Sequence, residues 1–543
     1  MGTAPLPADR ITWFRPGVIP GCIIAATAIV HALAAGCAHA FEIDYQPDVK
    51  LRWDNTIKYS TAWRAEDRIP ALVADANTDD GNRNFDPGFI SNRVDLLSEL
   101  DVTIRNVGGR VSVAAWYDAA YHRSNDNDSA ATANSFSVDH DEFTDATQQM
   151  HGRKVEILDA FVFANGHPAS VPANLRVGRH TLLWGESLLL ATNSISYAQA
   201  PLDFIKAISV PGTQAKELFM PVGQISGLLR PSTRLSLAAY YQFEWRRSRL
   251  PRAGSYFSSA DFFDEGSERL FFGPDGEALF HGRDQTARDQ GQWGISTRYW
   301  LEPVDIDFGL YYLRFHEKLP QLYLLPGAGL DPALGKTGEY SLVYPEEIQL
   351  IGVSFATTVA DVSLAGEVHG RFNTPLASIA QTVLPGTKAD NADNPLYAVG
   401  NTLHAQVSAT CVLPPGPLWD SAALLGELGW QSYTHISKNP EAFDPSRKRH
   451  ALGMQMVFTP TYYQVLPDLD LDLPFTLGYT PEGRSALAVF NGPHEGGTMS
   501  IGVSALYRKV LKIDLKFTHF FGSETYQTLQ DRDFLSLSIQ RTF

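Results

Sequence analysis

The sequence predicts an all-β protein: a transmembrane antiparallel β-barrel of about 18 strands (range about 16–18), with the segment near 181–221 folded inward. Three observations predict it. Apolar and polar side chains alternate through many runs of about ten residues. Long polar connections alternate with tight turns, as in barrels that have short turns at one end and long loops at the other. The chain also ends in an amphipathic stretch whose last residue is Phe543.

The first 40 residues have the pattern of a secretory signal peptide. Arg10 and Arg15 precede an apolar run, and the small residues after it suit cleavage following Ala40. Two alternatives stay open. One is an uncleaved helix, although the apolar run is barely long enough to span a bilayer. The other is lipidation of Cys37. Cleavage after Ala40 is the expected outcome, and it sends the mature chain out of the cytoplasm.

The composition excludes several classes of protein. A net charge of −16 argues against nucleic acid as a partner, because phosphate binding needs a basic surface. No run of about 18 apolar residues follows the leader, which excludes an α-helical membrane protein. Charged residues are 19% and aromatic residues 11%, a mixture that suits strands whose outer faces meet lipid. Residues 41–543 are therefore expected to form one barrel domain, and a large soluble β-protein is the competing interpretation.

The first strand after the leader shows the two-faced pattern. Val49, Leu51 and Trp53 alternate with Lys50 and Arg52, so one face is apolar and the other belongs in water. A face with this much charge fits a water-filled lumen. The same alternation recurs at 93–105, 111–117 and 235–245.

The connections favour a barrel over a soluble protein. We expect short turns near 106–109, 165–173, 230–233, 301–304, 359–361, 414–420, 464–468 and 508–510. We expect longer loops near 64–91, 122–153, 181–221, 246–290, 317–347, 373–399, 435–449, 481–496 and 522–530. No soluble architecture requires this alternation. An even number of strands places both ends of the barrel chain on the short-turn side.

Several short motifs carry a family resemblance. They are Leu175-Arg176-Val177-Gly178-Arg179, Leu183-Trp184-Gly185-Glu186-Ser187, Val210-Pro211-Gly212, Met220-Pro221-Val222, Tyr240-Tyr241-Gln242-Phe243-Glu244-Trp245, Tyr344-Pro345-Glu346-Glu347-Ile348, Ala365-Gly366-Glu367 and Asp531-Arg532-Asp533-Phe534. In this order they resemble the DUF1302 family of bacterial outer-membrane proteins. The resemblance implies an outer-membrane channel or exporter for a lipid, steroid or hydrocarbon-like molecule. It also implies a periplasmic lipoprotein-like partner and an RND- or MMPL-type inner-membrane transporter.

The connection 181–221 is the candidate functional segment. It is too rich in leucine, isoleucine and phenylalanine for a loop in water, so we expect it to fold into the lumen. There it forms either a constriction with an apolar binding site or a plug that fills volume, and both interpretations stay open. The residues expected along the ligand path or at the constriction are Trp184, Glu186, Phe204, Lys216, Glu217 and Phe219.

A basic cluster follows Trp245 at the expected outer rim. Its members are Arg246, Arg247, Arg249 and Arg252. One interpretation is contact with the phosphates of lipopolysaccharide in the outer-membrane lipid, for which arginine offers paired N–H groups. The other is pairing with nearby acids such as Asp261 and Asp264.

No metal site and no cofactor are predicted. Asp75, Asn77 and Asp79 resemble part of a calcium-binding loop. However, Asp80 stands where such a loop has glycine, and Asp86 stands where it has a bidentate glutamate. The match to a calcium loop is therefore poor.

The expected function is transport, and no enzymatic activity is expected. One rival is a general aqueous porin, whose constriction should be charged rather than apolar. The other is an outer-membrane lipid hydrolase, for which His404 on the lumen face is the nearest candidate residue. No nucleophile motif accompanies that histidine in a convincing context.

Overall fold

Eighteen antiparallel strands close into a barrel in the computed structural model, which describes residues 41–46, 48–209, 215–273, 276–487 and 489–543. The strands are β1 (Val49–Arg64), β2 (Gly88–Ile104), β3 (Val107–Asp118), β4 (Arg153–Gly166), β5 (Ala173–His180), β6 (Val222–Leu229), β7 (Leu235–Gln242), β8 (Gln292–Leu301), β9 (Ile306–Phe315), β10 (Ile348–Val359), β11 (Val362–Pro375), β12 (Val399–Leu413), β13 (Ser421–Lys438), β14 (His450–Leu466), β15 (Leu469–Asp472 and Phe475–Glu482), β16 (Gly496–Tyr507), β17 (Leu511–Phe521) and β18 (Phe534–Thr542). The predicted fold class is confirmed. The predicted leader lies outside the described residues.

The ring closes between the first and the last strand. Thr56 of β1 stands opposite Thr542 of β18, and the ladder continues to Arg64 opposite Phe534. Phe543 and Asn55 exchange two backbone hydrogen bonds of 2.8 and 2.9 Å just beyond the ladder. Closure leaves no free sheet edge, which matters because an unpaired backbone group in lipid costs several kcal/mol. A short strand, Phe41–Gln46, pairs with the start of β1.

The outer surface of the barrel carries an apolar band. Trp53 of β1 is 48% exposed and Leu310 of β9 is 59% exposed, although both lie within strands. Their neighbours in sequence point into the lumen because side chains alternate along a strand. Large apolar side chains exposed in this regular way are the lipid-facing surface of a transmembrane barrel.

The connections alternate between short turns and long loops, as predicted. Short turns join β2 to β3, β8 to β9 and β16 to β17, whereas the other end of the barrel carries the long loops. Four of the long loops matter below: L1 (65–87), L2 (119–152), L3 (181–221) and L4 (243–291). Four α-helices in them are α1 (Asp80–Arg83), α2 (Asp145–Thr147), α3 (Phe204–Ser209) and α4 (Ala215–Leu218).

The long loops are partly ordered into regular structure. Short 3₁₀ or π-helical turns occur in the long loops at Pro70–Val73, Ala119–His122, Gln148–Gly152, Ala191–Asn193, Ile195–Ala198, Pro332–Leu334 and Pro440–Ala442, and in two of the short turns at Pro168–Ser170 and Glu302–Val304. A second sheet of five strands forms from Arg269–Phe271, Ala278–His281, Gln321–Asp331, Lys336–Val343 and Gln381–Thr382. Among the described helices, none has the length and apolar content needed to cross a bilayer.

The apolar band yields a test of which surface meets lipid. Leu310→Arg places a charge in the middle of a lipid-facing strand and should lower the free energy of unfolding by about 2–4 kcal/mol. The control, Leu334→Arg, changes a leucine that is 50% exposed in a long loop and should have little effect. Denaturant unfolding of the barrel in lipid vesicles measures both values. Equal losses in the two variants would contradict the assignment of the band.

Candidate functional site

Loop L3 folds into the barrel and reaches across the lumen. It leaves the end of β5 at residue 181 and returns to β6 at residue 221. Between these points its backbone bonds to side chains of β11 and β13, on another side of the barrel. The predicted inward folding of 181–221 therefore agrees with the contacts of its described residues, which exclude 210–214.

Glu427 of β13 holds the first part of L3. Its carboxylate accepts hydrogen bonds from the backbone N–H groups of three consecutive residues, Leu188, Leu189 and Leu190, at 2.5 to 3.3 Å. Glu427 is 2% exposed. The backbone N–H groups of an irregular segment have no strand partner, so each needs an acceptor of this kind when it is buried. This lumen-facing glutamate therefore anchors L3.

Glu367 of β11 is the second carboxylate that anchors L3. It accepts hydrogen bonds from the backbone N–H groups of Glu186 and Ile195, both at 2.7 Å, and from the side-chain amide of Gln406 at 3.1 Å. Gly185 has φ +92°, and a Cβ atom there would collide with the Glu367 carboxylate. Glycine is thus required at this point of close approach.

Glycines in the barrel wall make room for L3. A Cβ atom on Gly429 of β13 would lie 2.5 Å from Leu190, and one on Gly352 of β10 would lie 3.1 Å from Ile195. Real Cβ contacts are seldom this short, so the side chains of L3 occupy space that a larger wall residue would fill. The wall and the loop are complementary in shape.

The turn at residues 192–194 is bonded to β11 and β12. Arg371 donates hydrogen bonds to the carbonyl oxygens of Thr192 and Ser194, at 3.1 and 3.0 Å. His404 Nδ1 lies 2.8 Å from Asn193 Oδ1, and the histidine is fully buried beneath L3. A histidine covered in this way orients the loop, so the geometry gives no support to the hydrolase alternative.

Three of the predicted path residues are apolar and lie against one core cluster. Phe219 is 6% exposed and belongs to the cluster, whereas Trp184 and Phe204 are partly buried and pack against it. The Trp184 ring lies 5.1 Å from that of Tyr240 on β7, centroid to centroid. Phe204 begins α3, part of which contacts solvent.

The charged path residues differ in their surroundings. A carboxylate oxygen of Glu186 lies 2.8 Å from Arg298 of β8. Burial raises the pKa of Glu186, and Arg298 acts in the opposite direction. Glu217 is exposed, and its carbonyl oxygen accepts a hydrogen bond from Lys206 at 3.2 Å. The side chain of Lys216 lies outside the described part of the structure.

Two arginines of the basic cluster contact L3. Arg249 bridges Asp203 of L3 and Glu156 of β4, at 2.7 and 2.6 Å. Arg246 donates a hydrogen bond to the carbonyl oxygen of Pro221 at 3.0 Å. These arginines therefore help to hold the middle of L3 and its end before β6.

The other two arginines pair with acids of L4. Arg247 lies 3.3 Å from Asp264 and 3.2 Å from Asp284. Arg252 is 4% exposed and pairs with Asp264 and Glu265. The geometry favours the second sequence-based alternative, pairing with nearby acids. Contact with lipopolysaccharide stays a prediction.

The lumen wall formed by the N-terminal strands is charged. Arg110 of β3 pairs with Glu99 and lies 3.6 Å from Asp101 and 3.7 Å from Asp159 of β4. All four side chains are between about a quarter and a third exposed. The lumen thus has a charged wall here, while L3 packs against the walls of β7 to β13.

A small recess of about 20 Å³ lies beside L3. Its lining joins the charged Arg371 and Glu317 to the apolar Leu319, Leu487 and Val489. Burial lowers the pKa of the neighbouring Lys318 to about 8, while Glu317 acts in the opposite direction. This space has room for about one water molecule and is far below the volume of small-molecule pockets, about 300–1,000 Å³.

The sequence profile of a family described as a protein of unknown function, DUF1302, matches residues 22–543. The match extends over essentially the whole chain. The chain belongs to the DUF1302 family. The resemblance inferred from the motifs is therefore confirmed. In this DUF1302 protein, the motif around Trp184-Gly185-Glu186 forms part of the lumen crossing, and Ala365-Gly366-Glu367 supplies a carboxylate that receives it.

No curated protein sequence matches the chain. Among solved structures, OccAB4 of Acinetobacter baumannii is 11% identical, with a TM-score of 0.43 over 92% of this chain and 98% of that one. The outer membrane channel DcaP of Acinetobacter baumannii is 8% identical, with a TM-score of 0.40 over 93% and 100%. OpdK of Pseudomonas aeruginosa, solved with vanillate, is 11% identical, with a TM-score of 0.38 over 91% and 98%. Similarities this low carry no argument about function.

The residues that hold L3 were not among the predicted site residues. Glu367, Glu427 and Arg371 were missed because alternation assigns them to the lumen without saying what they meet there. One signal was present in the sequence. Glu367 and Glu427 each follow directly after glycine, Gly366 and Gly426, in apolar strands where an acid is costly to bury.

The carboxylate anchors predict that L3 can be released. Glu427→Ala leaves the N–H groups of residues 188–190 without their acceptor, at about 1–3 kcal/mol for each buried group, so L3 should detach. We expect a several-fold rise in single-channel conductance in planar bilayers. The control, Asp514→Ala, removes a carboxylate of β17 that bonds to Ser538 of β18 instead, and should leave conductance near the wild-type value. No change in Glu427→Ala would contradict the anchoring role.

The glycines offer an independent test of the same docking. Gly429→Val fills the space that Leu190 occupies and should displace L3, again raising conductance. Gly426→Val, three residues earlier on the same strand, meets nothing within 4 Å at its Cβ and serves as the matched control. Equal conductance in the two variants would show that L3 does not depend on this contact.

Proposed function

We propose that this protein is a channel of the bacterial outer membrane that passes a hydrophobic small molecule, such as a lipid, a steroid or a hydrocarbon-like compound. The observation that carries the proposal is the course of L3. It brings partly buried leucine, isoleucine and phenylalanine side chains into the lumen and is bonded there by Glu367 and Glu427. An aqueous pore needs no apolar insert at its constriction.

The proposed mechanism has three steps. The solute enters at the long-loop end, passes the apolar side chains of L3, and leaves at the short-turn end. In the proposed orientation the long loops face the outside of the cell and the leader has been cleaved after Ala40. A periplasmic lipoprotein-like carrier and an RND- or MMPL-type transporter of the inner membrane would exchange the solute with the channel. The protein itself performs no chemistry on it.

The path is proposed to run along Trp184, Glu186, Phe204, Lys216, Glu217 and Phe219. Phe204 and Trp184 would contact the solute directly, because both are partly buried rather than sealed in the core. Phe219 is almost wholly buried, so it would pack behind the side chains that contact the solute. Glu186, held by Arg298, would keep the adjoining backbone in position.

One observation favours a second function, that of a general aqueous porin. The wall around Arg110 presents paired charges to the lumen, as a water-filled pore requires. Planar-bilayer recording separates the two functions. The hydrophobic channel predicts a small conductance with L3 docked, whereas a large and steady ionic current in the wild-type protein would favour the porin.

Transport of a hydrophobic solute can be tested at Phe204. Phe204→Asn makes the path polar and should reduce the flux of a fluorescent sterol or alkyl probe through the protein in liposomes by several-fold. The control, Phe272→Asn, makes the same change at a phenylalanine that is 58% exposed in L4. Heat-dependent migration on gels verifies that both barrels are folded. Unchanged flux in Phe204→Asn would count against the proposed path.

A further inference from the structure

A buried acidic cluster lies at the long-loop end of the barrel. Asp79 and Asp80 of L1 and Asp261 of L4 each offer a carboxylate oxygen, and these oxygens lie within 4.8 Å of one another. The three residues are 2%, 2% and 0% exposed. Three acidic side chains from two loops are thus held together out of water. None of the three belongs to L3.

Hydrogen bonds satisfy only some of the carboxylate oxygens in this cluster. Both carboxylate oxygens of Asp80 accept hydrogen bonds from side chains of L2. Asp261 Oδ2 accepts one from the Asp80 N–H group at 3.0 Å, and Asp79 Oδ2 accepts one from Arg83. The remaining oxygens, Asp79 Oδ1 and Asp261 Oδ1, are buried and have no hydrogen-bond donor within the described ranges.

Such an arrangement is costly unless something else binds these oxygens. A buried polar atom without a partner costs about 1–3 kcal/mol, and more when it is charged. Within the described part of the chain, one salt bridge reaches the cluster, from Arg83 to Asp79. Burial, reinforced by the neighbouring carboxylates, raises the pKa of Asp80 well above its ordinary range and that of Asp261 to about 7. Two kinds of occupant can therefore neutralise these carboxylates: protons bound to their oxygens, or a cation bound between them.

We propose that Asp79, Asp80 and Asp261 bind a divalent cation, and calcium in particular. Carboxylate oxygens are the ligands that calcium prefers, at about 2.3–2.6 Å, so two ligands on opposite sides of the ion are about 4.6–5.2 Å apart. The spacing of the three oxygens fits around one such ion. The two orphaned oxygens gain a partner, and the repulsion between three carboxylates is offset.

The site differs from the calcium loop that the sequence was compared with. Asp79 is the one residue common to both. Asp80, which occupies the place of a glycine in such a loop, is itself a ligand, and L4 supplies the third carboxylate. A polar recess of about 10 Å³, about the space of one water molecule, borders Asp80 and includes Asn84 and Asn127, so a water can add to the coordination.

Binding at this place would join three loops. Asp79 and Asp80 belong to L1, Asp261 belongs to L4, and Asn134 of L2 bonds to both Asp80 and the carbonyl oxygen of Asp261, at 2.8 and 3.2 Å. The cation would therefore fix the arrangement of the long loops over the lumen. This role does not depend on which solute the barrel passes.

The test is calcium binding by the full-length protein, purified in detergent and treated with a chelator. Isothermal titration with calcium chloride should show one site in the wild-type protein. Asp261→Asn and Asp80→Asn should each weaken binding at that site at least tenfold, because asparagine keeps the size of the side chain but removes its charge. The matched control is Asp139→Asn, which changes an exposed aspartate of L2 outside the cluster and should bind calcium as the wild type does.

The alternatives give different results. Residual lipopolysaccharide also binds calcium through its phosphates, but that contribution is the same in all four proteins. If the acids are held by protons instead, the wild-type protein will show no such site. Absence of the site, or equal binding in Asp261→Asn, Asp80→Asn and Asp139→Asn, would overturn the proposal. Heat-dependent gel migration of each variant separates loss of binding from loss of the barrel.

Discussion

Closure of the sheet is the constraint on which the rest of the structure depends. β1 and β18 pair from Thr56 and Thr542 onward, so the wall leaves no open edge of N–H and C=O groups in lipid. Once the ring is closed, strand alternation decides which side chains face hydrocarbon and which face the lumen. A ring of eighteen strands is too wide for its own side chains to fill. That width is what gives L3 a place inside.

The position of L3 follows from hydrogen bonds between its backbone and buried glutamates of the barrel wall. An irregular segment carries backbone N–H groups that no neighbouring strand satisfies, and wall strands carry glutamates that water does not reach. Glu367 and Glu427 solve both problems together, because each carboxylate accepts hydrogen bonds from two or more N–H groups of L3. Wall glycines such as Gly352 and Gly429 allow the close approach that these bonds require.

The long loops depend on a second set of buried charges. Arg64 at the end of β1 lies 3.2 Å from Asp531, just before β18, and both side chains are fully buried. Arg64 also donates to carbonyl oxygens of L1, and Arg532 donates to the carbonyl oxygen of Tyr256 in L4 at 2.6 Å. The point where the ring closes is therefore tied to the loops above it. The cluster around Asp261 is formed by the same two loops, L1 and L4.

The sequence by itself determined the barrel, its strand number to within about two, and the approximate places of its loops. Those features follow from local signals: alternation with a period of two, turn residues, and the apolar content of 181–221. Only the tertiary structure decided which lumen residues hold L3 and which loop acids meet. Glu427 lies 237 residues from Leu190, and Asp261 lies 181 residues from Asp80, although each pair is joined by a hydrogen bond. Such pairings depend on how the sheet curves and closes, which no local sequence pattern specifies.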